Sequence, residues 1–142
     1  MKKIILLIAL MLVCVKSYDV IQIVNSEPKT QAPKKVDGPS FKVTATMYYA
    51  VPGQCDDTPF ITACGYKINP VKASEHKWIA VSRDLLKKFK YGDKVRLSNA
   101  GDKDGIYVIA DTMNKRFKNK IDILETKGTP IYKLTEVVLT KV

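Results

Sequence analysis

The pattern of apolar and polar positions divides the chain into three stretches. Residues 4–15 are an unbroken apolar run of 12 positions behind Lys2 and Lys3. Residues 25–40, NSEPKTQAPKKVDGPS, have no apolar period and read as a flexible linker. From Phe41 onward, short apolar runs recur at about ten-residue spacing between turn residues.

That third stretch predicts strands. Residues 41–49 alternate and are rich in strand formers. Residues 78–81, 94–97, 106–110 and 120–124 are short apolar runs of strand length, and residues 132–142 contain the last strand. Residues 51–59 have loop chemistry, Gly92-Asp93 marks a turn, and residues 99–105 form a turn with two glycines. One helix is expected over residues 83–89, with Ser82 as its N-cap and Leu85, Leu86 and Phe89 on one face. Many short strands, one short helix and no βαβ alternation predict an all-β fold, a small barrel.

The leading run changes the picture of where the protein works. It is too short to span a bilayer, which takes about 20 residues. With its two lysines it has the build of a signal peptide over 1–17, cut after Ser17, although Lys16 is atypical there. The chain is therefore expected to be exported, to the periplasm, the cell envelope or the medium. Residues 18–40 then form an N-terminal segment and linker, and 41–142 the folded domain. Cys14 offers an alternative, a lipid anchor, although Val13 stands where a small residue should precede it.

The formal charge is +10, and loss of Lys2, Lys3 and Lys16 leaves +7. Such a surface attracts wall polymers, lipid head groups or stem-peptide carboxylates, or is simply lysine-rich and solvated. No nucleic-acid motif is present, so no nucleic acid is expected as partner. No metal-ligand spacing or cofactor motif occurs, so neither is expected. His76 stands alone in a polar stretch and suits a surface role. Of three cysteines, Cys55 and Cys64 remain after cleavage at residue 17. They are a candidate disulfide in an oxidising compartment, or two separate thiols.

Two carboxylates are candidates for chemistry. Asp111 ends the run Ile106-Tyr107-Val108-Ile109-Ala110, where it either borders a site or caps a turn with Thr112 and Asn114. Asp122 sits between Ile121 and Ile123, which face one way while it faces the other beside Leu124. In a partly dry groove its pKa would rise and suit a general acid; on an open face it would be an ordinary solvated aspartate. The loop 114–120 carries four positive charges and Phe117, and either binds an anion or is solvated. Thr46, Tyr48, Tyr49 and Thr62 are candidate glycan contacts or core and turn residues. Thr112 and Asn114 join the candidate substrate contacts.

Several ordered motifs carry a resemblance. They are Thr44-Ala45-Thr46-Met47-Tyr48, Thr62-Ala63-Cys64-Gly65, Trp78-Ile79-Ala80-Val81, Gly92-Asp93-Lys94-Val95, and Ala110-Asp111-Thr112 with Asp122 eleven residues after Asp111. Residues 44–124 thereby resemble the three-aspartate (3D) domain family, related to the catalytic barrel of membrane-bound lytic transglycosylase A, to RlpA-like proteins and, more distantly, to expansins. The resemblance implies a double-psi β-barrel with a groove across one face. It also implies lytic cleavage of peptidoglycan glycan strands, with Asp122 catalytic and Asp111 supporting. Two positions depart from the pattern. Ser82 stands where the family has its first aspartate, with Asp84 two residues on, and a basic segment over 113–120 replaces a glycine-rich one. The alternatives are a glycan-binding barrel without cleavage, as expansin-like relatives suggest, and a secreted inhibitor or interaction module using the basic loop.

Overall fold

The computed structural model describes residues 38–53 and 57–142. The signal peptide, Cys14, most of the linker and Cys55 lie outside the described residues. Six strands form: β1 (Ser40–Tyr49), β2 (Trp78–Val81), β3 (Lys94–Ser98), β4 (Gly105–Thr112), β5 (Lys120–Glu125) and β6 (Leu134–Lys141). They close into a barrel in the order β1-β5-β2-β4-β3-β6. The β1–β5 and β2–β4 pairs are parallel; β2–β5, β3–β4, β3–β6 and β1–β6 are antiparallel. Parallel neighbours need long crossing connections rather than hairpins, and the chain supplies them between β1 and β5 and between β2 and β4. This is the all-β double-psi barrel expected from the sequence. Closure leaves no open sheet edge.

Alternation fills the barrel. Val43, Ala45, Ile79, Val81, Val95, Leu97, Tyr107, Ile109, Ile121, Ile123, Val137 and Leu139 point inward and are almost wholly buried. Leu85 and Phe89 plug one end, with Phe41 edge-on to Phe89 at 5.4 Å between ring centres. The Gly92-Asp93 turn into β3 needs a positive φ of 84° at Gly92, whose amide donates to the Ile109 carbonyl at 2.8 Å.

The expected helix over 83–89 is reduced to a 3₁₀ turn, Leu85–Lys87. Ser82 does not cap it: the Ser82 side chain is buried and its hydroxyl accepts from the Lys120 amide at 3.1 Å, tying β2 to β5. Two further 3₁₀ segments, Pro70–His76 and Gly101–Lys103, complete the helical content of the described residues, none of which is long and apolar enough to cross a membrane.

The β1–β2 connection packs on the outside of the barrel. Ala50, Ile68, Ala73 and Leu124 make a second apolar cluster there, flanked by Tyr48 and Trp78. Trp78 is covered by His76, stacked at 4.2 Å, so the lone histidine does have a structural surface role. A buried Glu125 anchors the connection to β5. Its carboxylate accepts from Ser74 Oγ at 2.6 Å and Tyr132 Oη at 2.7 Å, and pairs with Lys103 at 2.9 Å. Burial works against that charge, but these partners hold the carboxyl below its usual range.

Candidate functional site

On the outer face of the barrel, cross-strand register lines up one row of residues. Asp122 on β5 is opposite Thr46 on β1 and opposite Ala80 on β2. Ala80 is in turn opposite Asp111 on β4. The row therefore runs Thr46, Asp122, Ala80, Asp111 over four adjacent strands. Strands lie about 4.8 Å apart, so the two aspartate backbones are separated by roughly 10 Å.

A bulge makes this row possible. Ile79 pairs with Ile109, yet the next residue, Ala80, pairs with Asp111, so Ala110 is extra on β4. Residues two apart on a strand normally share a face. The bulge breaks that rule: Ile109 enters the core while Asp111 reaches the outer row. Re-aiming one side chain in this way is a recurrent use of bulges beside functional sites. β4 continues to Thr112, so Asp111 lies within the strand and not at its end.

Asp122, Ala80 and Asp111 of this row floor a cleft of about 550 Å³. Ala80 keeps the floor low between the two carboxylates. Pro59, Ile61 and Ala63 of the β1–β2 connection form one wall; Arg83, Met113, Asn114, Arg116 and Phe117 form the other.

Asp122 is partly buried, and its Oδ1 accepts a hydrogen bond from the Thr46 hydroxyl. Desolvation pushes its carboxyl above the ordinary value of 3.8, against the opposing pull of the Thr46 hydrogen bond and the Lys120 charge. Burial outweighs both. The Asp122 side chain is thus half-buried at the cleft rather than on an open face. Asp111 is held differently. Its Oδ1 accepts from the amides of Ala63 at 3.0 Å and Thr112 at 2.8 Å, and the Tyr48 hydroxyl lies 3.4 Å from Oδ2. Asp111 thus latches the 62–65 segment onto β4 and also faces the cleft.

The other expected contacts divide. Tyr48, Thr112 and Asn114 line the cleft. Thr46 touches Asp122 rather than the open space. Thr62 is corrected: it is 3% exposed, and its hydroxyl accepts from the Tyr66 amide at 3.0 Å, so it shapes a turn that presents the Ala63 amide. Tyr49 donates to the Thr129 carbonyl, away from the row. Cys64 is a free thiol 3.3 Å from the Thr62 hydroxyl; the candidate bridge involves Cys55, which lies outside the described residues. Asp84 does not replace the missing aspartate. Its Oδ2 accepts from the Asn119 amide at 2.9 Å, and Arg83 beside it lines the cleft instead. Arg83 is the residue the sequence reading missed, although its position next to Ser82 was the available signal. Among the described residues no group of His, Cys, Asp or Glu side chains could hold a metal ion.

No protein-family model matches this sequence, and no curated protein matches it. Among solved structures, the chain is similar to the Streptomyces papain inhibitor (SPI), with a TM-score of 0.50 and 13% identity over 76% of this chain and 99% of that one. At that identity the likeness is one of fold.

Proposed function

We propose that this is an exported protein of the cell envelope that cleaves peptidoglycan glycan strands by lytic transglycosylation, with Asp122 as the proton donor. The observation that carries the reading is a partly buried carboxyl in the floor of a cleft of about 550 Å³, where desolvation favours its protonated form. The resemblance to the 3D family supplies the substrate class. In the step proposed, protonated Asp122 donates to the oxygen joining N-acetylmuramic acid to N-acetylglucosamine, and that bond breaks. Oxocarbenium-like charge develops on the muramyl ring. Ionised Asp122 then takes the proton of the sugar's own 6-hydroxyl as that oxygen closes an anhydro ring. No water is consumed, in contrast to the two-carboxylate hydrolases. Asp111, fixed by two backbone amides, supplies a negative charge along the same row, suited to stabilising the ring cation.

Mass spectrometry of purified peptidoglycan after incubation tests this. Anhydro-muropeptides support lytic cleavage, and new reducing ends mean hydrolysis instead. Neither product, with the protein pelleting on the wall material, supports a second reading: a glycan-binding barrel without cleavage. Ser82 at the place of the family's first aspartate favours that reading. The third reading, an inhibitor or interaction module, draws on the papain-inhibitor name of the SPI structure and on the exposed basic loop. Papain inhibition by a protein with no affinity for peptidoglycan would select it.

A further inference from the structure

The chain has 24 basic residues, and only three of them, Arg83, Arg96 and Arg116, are arginine. Two of the three line the cleft that holds Asp111 and Asp122. They come from different connections, Arg83 just after β2 and Arg116 between β4 and β5, and both are exposed. The fold does not use their charge. Every ion pair among the described residues is made by a lysine, and no carboxylate is paired with either arginine. Arg116 only lies over the Phe117 ring, at 4.8 Å. Nor do they serve Asp122, where Lys120 is the cation that bears on the carboxyl.

Arginine is suited to a specific task here. Its planar fork of donors matches a carboxylate in two parallel hydrogen bonds, which a lysine ammonium does not reproduce. The cleft thus has an acidic floor that is already engaged and a wall with two unpaired guanidinium groups. We infer that Arg83 and Arg116 form a carboxylate-reading subsite that selects glycan bearing an acid on its muramyl units over neutral glycan of the same backbone. This rests on the proposed glycan reading and deepens it. N-acetylmuramic acid differs from N-acetylglucosamine by a lactyl acid. In intact wall that acid is capped by a stem peptide carrying carboxylates of its own. The shared chemistry is a carboxylate beside the sugar ring.

The test is a titration of three tetrasaccharides into the Asp122→Asn protein, which removes turnover. The probes are neutral chitotetraose, peptide-free N-acetylglucosamine–N-acetylmuramic acid tetrasaccharide, and the same tetrasaccharide carrying stem peptides. The expected result is about tenfold or more tighter binding of an acid-bearing probe than of chitotetraose, as hydrogen bonds between charged groups allow. Adding Arg83→Gln and Arg116→Gln should erase that preference, so that the acid-bearing probes bind no more tightly than chitotetraose. Thermal melts confirm folding, which is not at risk because both side chains are exposed. Preference for the peptide-free probe assigns the lactyl acid as the ligand; preference for the peptide-bearing probe alone assigns the stem. Equal binding of neutral and acidic probes, or a preference that survives the double substitution, overturns the inference and leaves the glycan reading standing. Failure of all three probes to bind overturns both.

Discussion

Asp122 and Asp111 are cross-strand neighbours of the same residue, Ala80, one on each side of β2. The first is partly buried and accepts from a hydroxyl; the second is fixed by two backbone amides. Two carboxyls in one row thus have different environments, which is the condition for giving them different roles.

Replacing the proton donor should stop cleavage without unfolding the barrel. Asp122→Asn keeps the size and an acceptor for Thr46. Product release from peptidoglycan should fall by about 10²–10⁴-fold, the usual worth of general acid–base help. Retained release at the wild-type rate would remove Asp122 from the mechanism.

The same substitution carries a stability signature. Burial raises the folded-state pKa of Asp122 above its ordinary 3.8, so the folded chain binds that proton more tightly than the unfolded chain. The stability this adds is full below the unfolded value and is lost as pH rises through the folded pKa. Asp122→Asn never ionises. Its melting temperature should therefore gain on wild type as pH rises from 4 to 7, and the two should differ least near pH 3 in paired melts.

Thr46 and Lys120 both pull the Asp122 pKa down. Thr46→Val removes the hydrogen bond and keeps the shape, so the pKa should rise further. The donor then stays protonated to higher pH. The limb of the activity–pH profile that falls with rising pH should move upward, and Lys120→Met should move it the same way. A downward shift for either variant would contradict the assignment.

Asp111 combines a latch with a charge. Asp111→Asn keeps an acceptor for the Ala63 and Thr112 amides and loses the charge; Asp111→Ala loses both. Both should impair cleavage, less completely than Asp122→Asn. Only the alanine variant should lose about 1.5–3 kcal/mol of stability in denaturant titration, the worth of hydrogen bonds to a charged group.

Glu125 should matter to stability alone. Its removal strands the Ser74 and Tyr132 hydroxyls and the Lys103 ammonium around a buried space. Glu125→Ala should destabilise by about 3 kcal/mol, the lower end for breaking a buried pair, because Lys103 keeps some solvent access.

The strands were legible because their apolar period survives in every one. Residues 78–81 match β2 to the residue, and the other expected strands differ from the observed ones by one to a few residues at their ends. Asp122 was legible for the same reason, since Ile121 and Ile123 had to share the core. Asp111 was found by motif and spacing, but its way into the row was hidden. The bulge at Ala110 is a property of how β4 registers on β2, and no local pattern announces it. Ser82 misled because a serine before an apolar helical pattern is a good N-cap; here its hydroxyl serves the Lys120 amide across the sheet. Thr62 was open to a glycan-contact or a turn role; its hydroxyl closes a tight turn, through a bond to the Tyr66 amide that no sequence pattern shows. Glu125 was passed over because its partners, Ser74, Lys103 and Tyr132, come from other segments; Arg83 was passed over because no local pattern shows that it lines the cleft.

The proposed chemistry requires one property, a carboxyl kept in its protonated form by burial in the cleft floor. Carbon-13 NMR of the carboxyl groups, titrated against pH with Asp122 assigned by its loss in Asp122→Asn, measures it without any substrate. The predicted midpoint for Asp122 lies above the ordinary 3.8, and moves higher in Thr46→Val. A midpoint at or below 3.8 in the wild-type protein would mean that Asp122 is an ionised surface aspartate, and the proposed proton donor would be lost.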